Sequence, residues 1–391
     1  MTSIFGSSLV DTAEHHPMLR KSVAQLVGRY GRPYFQGLVA RDEKPVELWR
    51  EMGEAGFLGV AISEQWGGGG GGLGDYSIVV EETAAQGCPL LGLVLSSICA
   101  PFIEHHGSEE MKKKWLPGIA SGKLRLAFAI TEPNAGTNTH KVTTTATKDG
   151  NGWRLNGNKY YTSALDEVDA MVVVARGDKP DATGRHPLSL FLVDVDAPGI
   201  TFHPIPAVLM VPEKQFTLFF DNVKLGPEAL IGKEGEGMRN LFVGLNPERV
   251  SAASLNNGIA KYAIEKGAQY ASERSVWKTP IGAHQGLAHP LATAYIAVQQ
   301  ARLMTARAAQ LYDQGSHEAG EAANMAKFAA ADASLVALDQ AIQIHGGNGF
   351  AIEYGLGDLW FIARLHKTAP VSREMILNFI AQHSLGLPKS Y

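Results

Sequence analysis

The chain has 391 residues, enough for two or three packed units, and 45% of them are hydrophobic, as in an ordinary globular enzyme. Its 35 basic and 39 acidic side chains leave a net charge of −4, so it offers no basic field to a nucleic-acid backbone and no polybasic membrane anchor. Cys88 and Cys99 have neither metal-ligand spacing nor a CxxC partner, which predicts reduced, buried thiols in a cytoplasmic protein without a metal site.

The opening segment, MTSIFGSSLVDTAEHH, lacks the basic and apolar regions of a signal peptide. From about Lys21 to Lys123 the pattern is helical, with apolar positions three and four apart in Pro45 to Gly59 and Tyr76 to Gln86. The longest apolar run, Leu90 to Phe102, is broken by Ser96, Ser97 and Pro101, and reads as a buried core helix rather than a membrane span. Six glycines at 67–72 could suggest a phosphate cradle. That motif needs a preceding strand and a helix opening at GxGxxG, so a flexible connecting loop is predicted instead.

From about Arg125 to Asn222 the period becomes two. Trp153–Tyr161, Ala170–Ala175, Leu188–Val195 and Gln215–Asp221 read as strands, and Asp149-Gly150 and Asn156-Gly157 as hairpin turns. This predicts a mainly antiparallel β barrel or sandwich. From about Gly235 the helical period returns, with stripes at Met238, Leu241, Phe242, Leu245 and at Met325, Phe328, Leu335, Leu338, Ile342. Alanine-rich 292–342 suits close-packed antiparallel helices. The expected class is a multidomain α+β chain: an N-terminal helical domain at 1–123, a β domain at 124–234 and a C-terminal four-helix-type bundle at 235–391.

Three patterns carry candidate chemistry. In Ala127-Phe-Ala-Ile-Thr-Glu-Pro-Asn-Ala-Gly-Thr137 a strand leads into a tight turn that presents hydroxyls and N–H groups. In Leu155-Asn-Gly-Asn-Lys-Tyr-Tyr-Thr-Ser163, alternation puts Tyr161 and Ser163 on one face, able to stack a flat ring and bond its edge. Arg274-Ser-Val-Trp277, Gln285 and the glycine-rich helix end Gln343-Ile-His-Gly-Gly-Asn-Gly349 suit an anionic diphosphate. Each alone is an ordinary turn, strand or helix end.

Together, and in this order, they resemble the acyl-CoA dehydrogenase family from about Glu43 to Tyr391. TEPNAGT stands for the family's TEPxAGS, LNGNKYYTS for LNGxKxWITN, RSVWKTPIGAHQ for RxxFGxPIxxxQ, and QIHGGNGFAIEY for QxxGGxGxxxEYP. The resemblance implies non-covalent FAD, an acyl-CoA substrate, an electron-transfer flavoprotein as partner and a homodimer or homotetramer. Phe128, Ile130 and Thr131 would line the flavin ring. Tyr161 would take the place of the usual tryptophan against it, and Ser163 would bond near N5. Arg274, Trp277, Gln285 and Gln343 through Gly347, with Gly346 among them, would hold the adenosine diphosphate half of a neighbouring subunit's FAD. Thr137 would serve cofactor and thioester, Asn246 and Arg249 the thioester and its CoA, and Ser372 and Glu374 the cofactor, Glu374 towards its adenine end.

One departure matters. Many members carry a proton-abstracting Glu in a Tyr-Glu-Gly-Thr stretch, where this chain reads Lys367-Thr-Ala-Pro-Val-Ser372 with Pro370 at the Glu position. Proline also removes a backbone N–H that holds the thioester oxygen in the family. Some relatives carry the base on the first long C-terminal helix instead, and Glu248 of Asn246-Pro-Glu-Arg249 stands there. Pro247 deprives the Val243 carbonyl of its helical partner and predicts a kink. Glu353 and Glu374 are weaker candidates. The expected reaction is α,β-dehydrogenation to a trans-2-enoyl-CoA. The alternatives are a flavin monooxygenase or oxidase of the same fold, or a non-catalytic acyl-CoA-binding homologue.

Overall fold

The computed structural model describes residues 4–6, 9–182 and 184–389. The first segment forms α1 (His16–Gly28), α2 (Gly31–Arg41), α3 (Val46–Glu54), α4 (Leu73–Ala85), α5 (Leu91–His106) and α6 (Glu109–Ala120). Leu90 to Phe102 falls almost wholly in α5, whose Leu93, Ile98, Cys99, Phe102 and Ile103 are buried. No helix among the described residues is long and apolar enough to cross a membrane.

The glycine run does connect two helical elements, but it is tightly bonded rather than loose. Gly69 N–H donates to Gly59 O at 3.0 Å, Gly70 to Ile62 O at 2.9 Å and Gly71 to Val60 O at 2.9 Å. A Cβ on Gly68 would stand 2.0 Å from Ile62 O, and one on Gly72 2.4 Å from an Asp313 carboxylate oxygen. Backbone approaches too closely for a side chain at Gly68, the Asp313 carboxylate does so at Gly72, and Gly67 and Gly70 adopt positive φ.

The middle segment forms β1 (Leu126–Ala129), β2 (Thr145–Asp149), β3 (Gly152–Ser163), β4 (Ala170–Gly177), β5 (Leu188–Asp194), β6 (Ile200–Ile205), β7 (Gln215–Leu225) and β8 (Leu230–Ile231). They make one open sheet in the order β6-β7-β3-β2-β4-β5-β8, with β1 also on β4. The expectation of a barrel or sandwich is corrected: β6 and β8 at the two ends do not pair. The pairing is also mixed, since β1 and β2 both run parallel to β4 while the other pairs are antiparallel. Strand β4 explains the choice. Its Ala170, Val172 and Val174 pack with Ile98, Phe102 and Leu116 of the helices, while Met171, Val173 and Ala175 pack with Phe191, Phe216 and Leu218. A strand buried on both faces reads as one apolar run, and helices cover the side that a closing sheet would otherwise cover.

Asp149-Gly150 is a hairpin turn between β2 and β3, as its sequence predicts. Asn156-Gly157 is not. It lies inside β3 at a bulge against β7, where Gly157 at φ 141° leaves no room for a Cβ against Thr144 Cα, 2.6 Å away. Asp-Gly and Asn-Gly carry the same local signal, and turn and bulge each need a glycine conformation.

The last segment forms α7 (Gly237–Glu273), α8 (Gln285–Asp313), α9 (Ala319–His345), α10 (Trp360–Leu365) and α11 (Arg373–Phe379). Among the described residues it supplies three long helices, and α4 completes the packing around α7 and α8. The first and last segments therefore share one core, in which Val79, Val80 and Ala84 of α4 meet Leu255 and Ile259 of α7 and Val298 of α8. Charge pins this junction too. Glu81 and Glu82 on α4 receive Arg20 of α1 and Lys261 of α7, and Glu81 also receives Arg302 of α8, all at 2.6–3.3 Å.

Candidate active site

The strand-to-turn segment after β1 is fixed by a buried ion pair. Lys159 on β3 is wholly buried and donates to Glu132 at 2.9 Å and to the Ile130 carbonyl at 3.1 Å. The other Glu132 oxygen takes the N–H and hydroxyl of Thr143. Although burial opposes its charge, Lys159 and the Thr143 and Thr144 donors hold Glu132 down at about 2. Tyr160 N–H donates to Thr131 O at 2.8 Å, so Phe128–Thr131 and Tyr160–Ser163 form one surface. Lys159 is a residue that the sequence reading passed over, because a lysine in an alternating strand looks solvent-facing.

The alternation argument for Tyr161 and Ser163 fails. A second bulge pairs Lys159 with Leu218 and Thr162 with Phe216, so Lys159 and Thr162, three apart, share a buried face. The inserted residue is accommodated at Tyr161, which adopts φ 57° and is 55% exposed, with its ring 4.3 Å from that of Tyr160. A non-glycine residue in this conformation is held by its surroundings, and a bulge re-aims its side chain. Ser163 donates its hydroxyl to Gln215 at 2.9 Å. Thr137 is exposed beyond the turn.

Glu248 sits on α7 opposite α5. Its charge reaches Cys99 of α5, whose thiol donates to Ala127 O of β1 at 3.4 Å, one residue from Phe128. Phe128 in turn packs on Phe102 with ring centroids 5.6 Å apart. Glu248 is half-buried as a residue. The surrounding protein nevertheless excludes enough water that burial raises it to about 7, against the pull of Arg249 and Lys327. No hydrogen bond or ion pair engages its oxygens among the described residues. Arg249 donates instead to Asn246 Oδ1 at 3.0 Å.

Lys327 of α9 was not anticipated either. It is buried and donates to Val371 O at 2.5 Å, beside Pro370, while lying within electrostatic reach of Glu248, Arg249 and Glu374. Burial, with Arg249 second, lowers it to about 8. Asp332 clamps the same loop through Arg373 and through Lys367 at 2.8 Å. Ser372 caps α11 by accepting from Met375 N–H, and Glu374 is exposed. No hydrogen bond or ion pair joins either to the Arg274 and Gly346 group among the described residues.

That group assembles at the far end of α7. Arg274 ends α7, and Gly346, at φ 59°, ends α9. Tyr270 stacks on His345 at 4.1 Å and accepts from Asn348 at 3.1 Å, which brings the two helix ends together. Arg274, Gln285, Gln343, Gly346 and Gly347 are exposed, and Trp277 is 84% exposed. Nothing lies within 4 Å of where a Cβ on Gly346 or Gly347 would be.

A cavity of about 840 Å³ opens beside the turn of α7 that carries Pro247. Val243, Asn246 and Pro247 line it, with Ser97 and Glu104 of α5 and Tyr312 of α8, while Glu248 stands next to this wall rather than on it. Helix α7 runs through Pro247 without ending, and Tyr312 donates its phenol O–H to the freed Val243 carbonyl at 2.8 Å.

Comparison with known proteins matches the N-terminal, middle and C-terminal domains of acyl-CoA dehydrogenases to residues 13–123, 127–223 and 235–385. Acyl-CoA dehydrogenase fadE12 of Mycobacterium bovis is 50% identical over 381 residues, covering 97% of this chain and 98% of that one. A glutaryl-coenzyme A dehydrogenase solved with glutaryl-CoA superposes with a TM-score of 0.91 at 32% identity, over 97% of each chain. Butyryl-CoA dehydrogenase of Megasphaera elsdenii gives 0.90 at 26% identity, over 96% of this chain and 99% of that one.

Proposed function

The chain belongs to the acyl-CoA dehydrogenase family, and on that footing we propose that it oxidises an acyl-CoA thioester to the trans-2-enoyl-CoA with Glu248 as the base. The observation that carries this is the convergence on Lys327. Its ammonium bonds the residue after Pro370 and also feels the charge of Glu248. Lys327 thus links the loop that carries Pro370 with the turn of α7 that carries Glu248, which supports reading Glu248 as the substitute for the carboxylate absent at 370.

FAD suits the residues present. The bare backbone at Gly346 and Gly347, on a helix end that Tyr270 ties to the end of α7, together with Arg274, which makes no ion pair among the described residues, is a donor set suited to a diphosphate. The exposure of Trp277 fits a surface that a second copy of the chain covers. The surface made by Phe128, Ile130, Thr131 and Tyr161, with Ser163 at its edge, suits a flat ring, and Thr137, Asn246 and Arg249 suit the thioester and CoA. FAD, when bound, supplies the acceptor for the hydride from the β carbon.

Everything else falls to the chain. Glu248 takes the α proton, and a carboxylate titrating at about 7 is matched to that task at neutral pH. Arg249, held by Asn246, keeps cationic charge beside the developing enolate. Cys99 and Phe128 exclude water from the β1 side. An electron-transfer flavoprotein would be the partner that takes up the electrons.

The test is anaerobic mixing of the flavin-loaded protein with a panel of acyl-CoAs while flavin absorbance is followed. Bleaching without O₂ is the expected result. A protein reduced only by an added reductase would instead be a monooxygenase, and one that binds acyl-CoA without ever bleaching would be non-catalytic.

A further inference from the structure

Proline at 247 leaves one carbonyl of α7 without its helical N–H, one turn before Glu248. In a long packed helix such a group needs another donor, or the helix bends until water reaches it. Here the donor comes from a different element: Tyr312, at the C-terminal end of α8, bonds Val243 O at 2.8 Å. Its neighbour Asp313 caps α4, accepting Leu73 N–H at 2.7 Å and Gly74 N–H at 3.0 Å. The end of α8 is thereby anchored to α4, and the phenol is presented to α7 from a fixed support. Tyr312, Val243 and Pro247 also share the wall of the 840 Å³ cavity.

We propose that Tyr312 is a positioning residue for Glu248: its O–H replaces the missing helical donor at Val243 and fixes the direction in which the next turn of α7 points its carboxylate. The inference rests on the reading of Glu248 as the base, but its geometry does not. The broken bond at Val243–Pro247 and the Tyr312 contact are local facts of α7 and α8. Two carboxylates face Tyr312, Asp313 and Glu104, and burial with their charge raises the phenol to about 12, so it stays a donor throughout the working range. Facing Glu248 are Arg249 on its own helix, Lys327 from α9 and Cys99 from α5.

A double-mutant cycle tests this on the flavin-loaded protein, using Tyr312→Phe, Pro247→Ala and the pair. Alanine restores an N–H at 247, so Val243 O no longer needs the phenol. Tyr312→Phe alone is expected to slow flavin reduction about ten-fold, mainly in kcat rather than KM. In the Pro247→Ala background the same change is expected to cost less than about two-fold. Equal losses in both backgrounds would overturn the proposal, because the phenol would then act elsewhere, for example on the cavity wall.

A second readout is independent of turnover. Glu248 is titrated by its protonated-carboxyl infrared band, identified by its loss in Glu248→Gln. Tyr312→Phe is expected to shift that midpoint by about one pH unit only when Pro247 is present. A shifted titration with unchanged turnover keeps Tyr312 as the positioning residue and removes Glu248 from the base role. An unshifted titration in a folded, flavin-binding Tyr312→Phe protein sinks the proposal itself.

Discussion

Glu81, buried on α4 against α7, and Glu248, half-buried on α7 itself, are two acids that differ in what touches them. Arg20, Lys261 and Arg302 all reach the Glu81 carboxylate within 3.3 Å, and despite burial they hold it far below the usual carboxylate range. Glu248 has two cations in the neighbourhood and neither within ion-pair distance, so burial wins and raises it to about 7. Bound cations make a buried carboxylate a permanent anion that ties helices together. Unbound ones leave it able to gain and lose a proton near neutrality, as a base requires.

Stability should separate the two sites first. Glu81→Gln strands Arg302, while Lys261 and Arg20 keep Glu82, and is expected to cost about 3–5 kcal/mol, read from the denaturant midpoint at neutral pH. A loss under about 1 kcal/mol would show that the cluster is not the tie between α1, α4, α7 and α8. The pH dependence has opposite signs. Glu81, depressed on folding, stabilises above its unfolded value of roughly 4.3, and that contribution drains away as pH falls towards its folded value. Glu248, raised on folding, retains a proton that the unfolded chain has released between roughly 4.3 and about 7, so it lowers stability as pH rises through that window.

A smaller effect comes from Lys327. Lys327→Met removes a cation that favours the ionised base, and the pH midpoint of flavin reduction should move up by about one unit. An unmoved midpoint would mean that Lys327 only holds the 367–373 loop through Val371. The smallest effect is the stability of Glu248→Gln at pH ~8, expected to match or slightly exceed the native protein within about 0.5 kcal/mol. A loss of several kcal/mol would make Glu248 a structural ion-pair partner like Glu81 and erase the contrast.

The sequence made the helix–sheet–helix order legible because periodicity survives in long elements: α5, β4 and α9 all lie where their apolar patterns put them. It also singled out Glu248 as the candidate base, through Pro370 and the Asn-Pro-Glu-Arg run. Closure was not legible, since a strand such as β4 is equally apolar whether a second sheet or a helix covers it. Nor were the bulges, because Asn156-Gly157 and Tyr160-Tyr161 carry the same local signals as a turn and an alternating strand. Lys327, Lys159 and Tyr312 escaped for a common reason. Each acts on a carbonyl far away in the chain, Val371, Ile130 and Val243, and only the fold brings donor and acceptor together.

The central claim is most directly tested by stopped-flow anaerobic flavin reduction with a good acyl-CoA across pH, in the native protein and in Glu248→Gln. The rate in the native protein should climb with pH to half its maximum near 7, and Glu248→Gln, still holding FAD, should be slower by about 10²–10⁴-fold with that limb gone. Bleaching of Glu248→Gln at the native rate, with the same pH profile, would contradict the account.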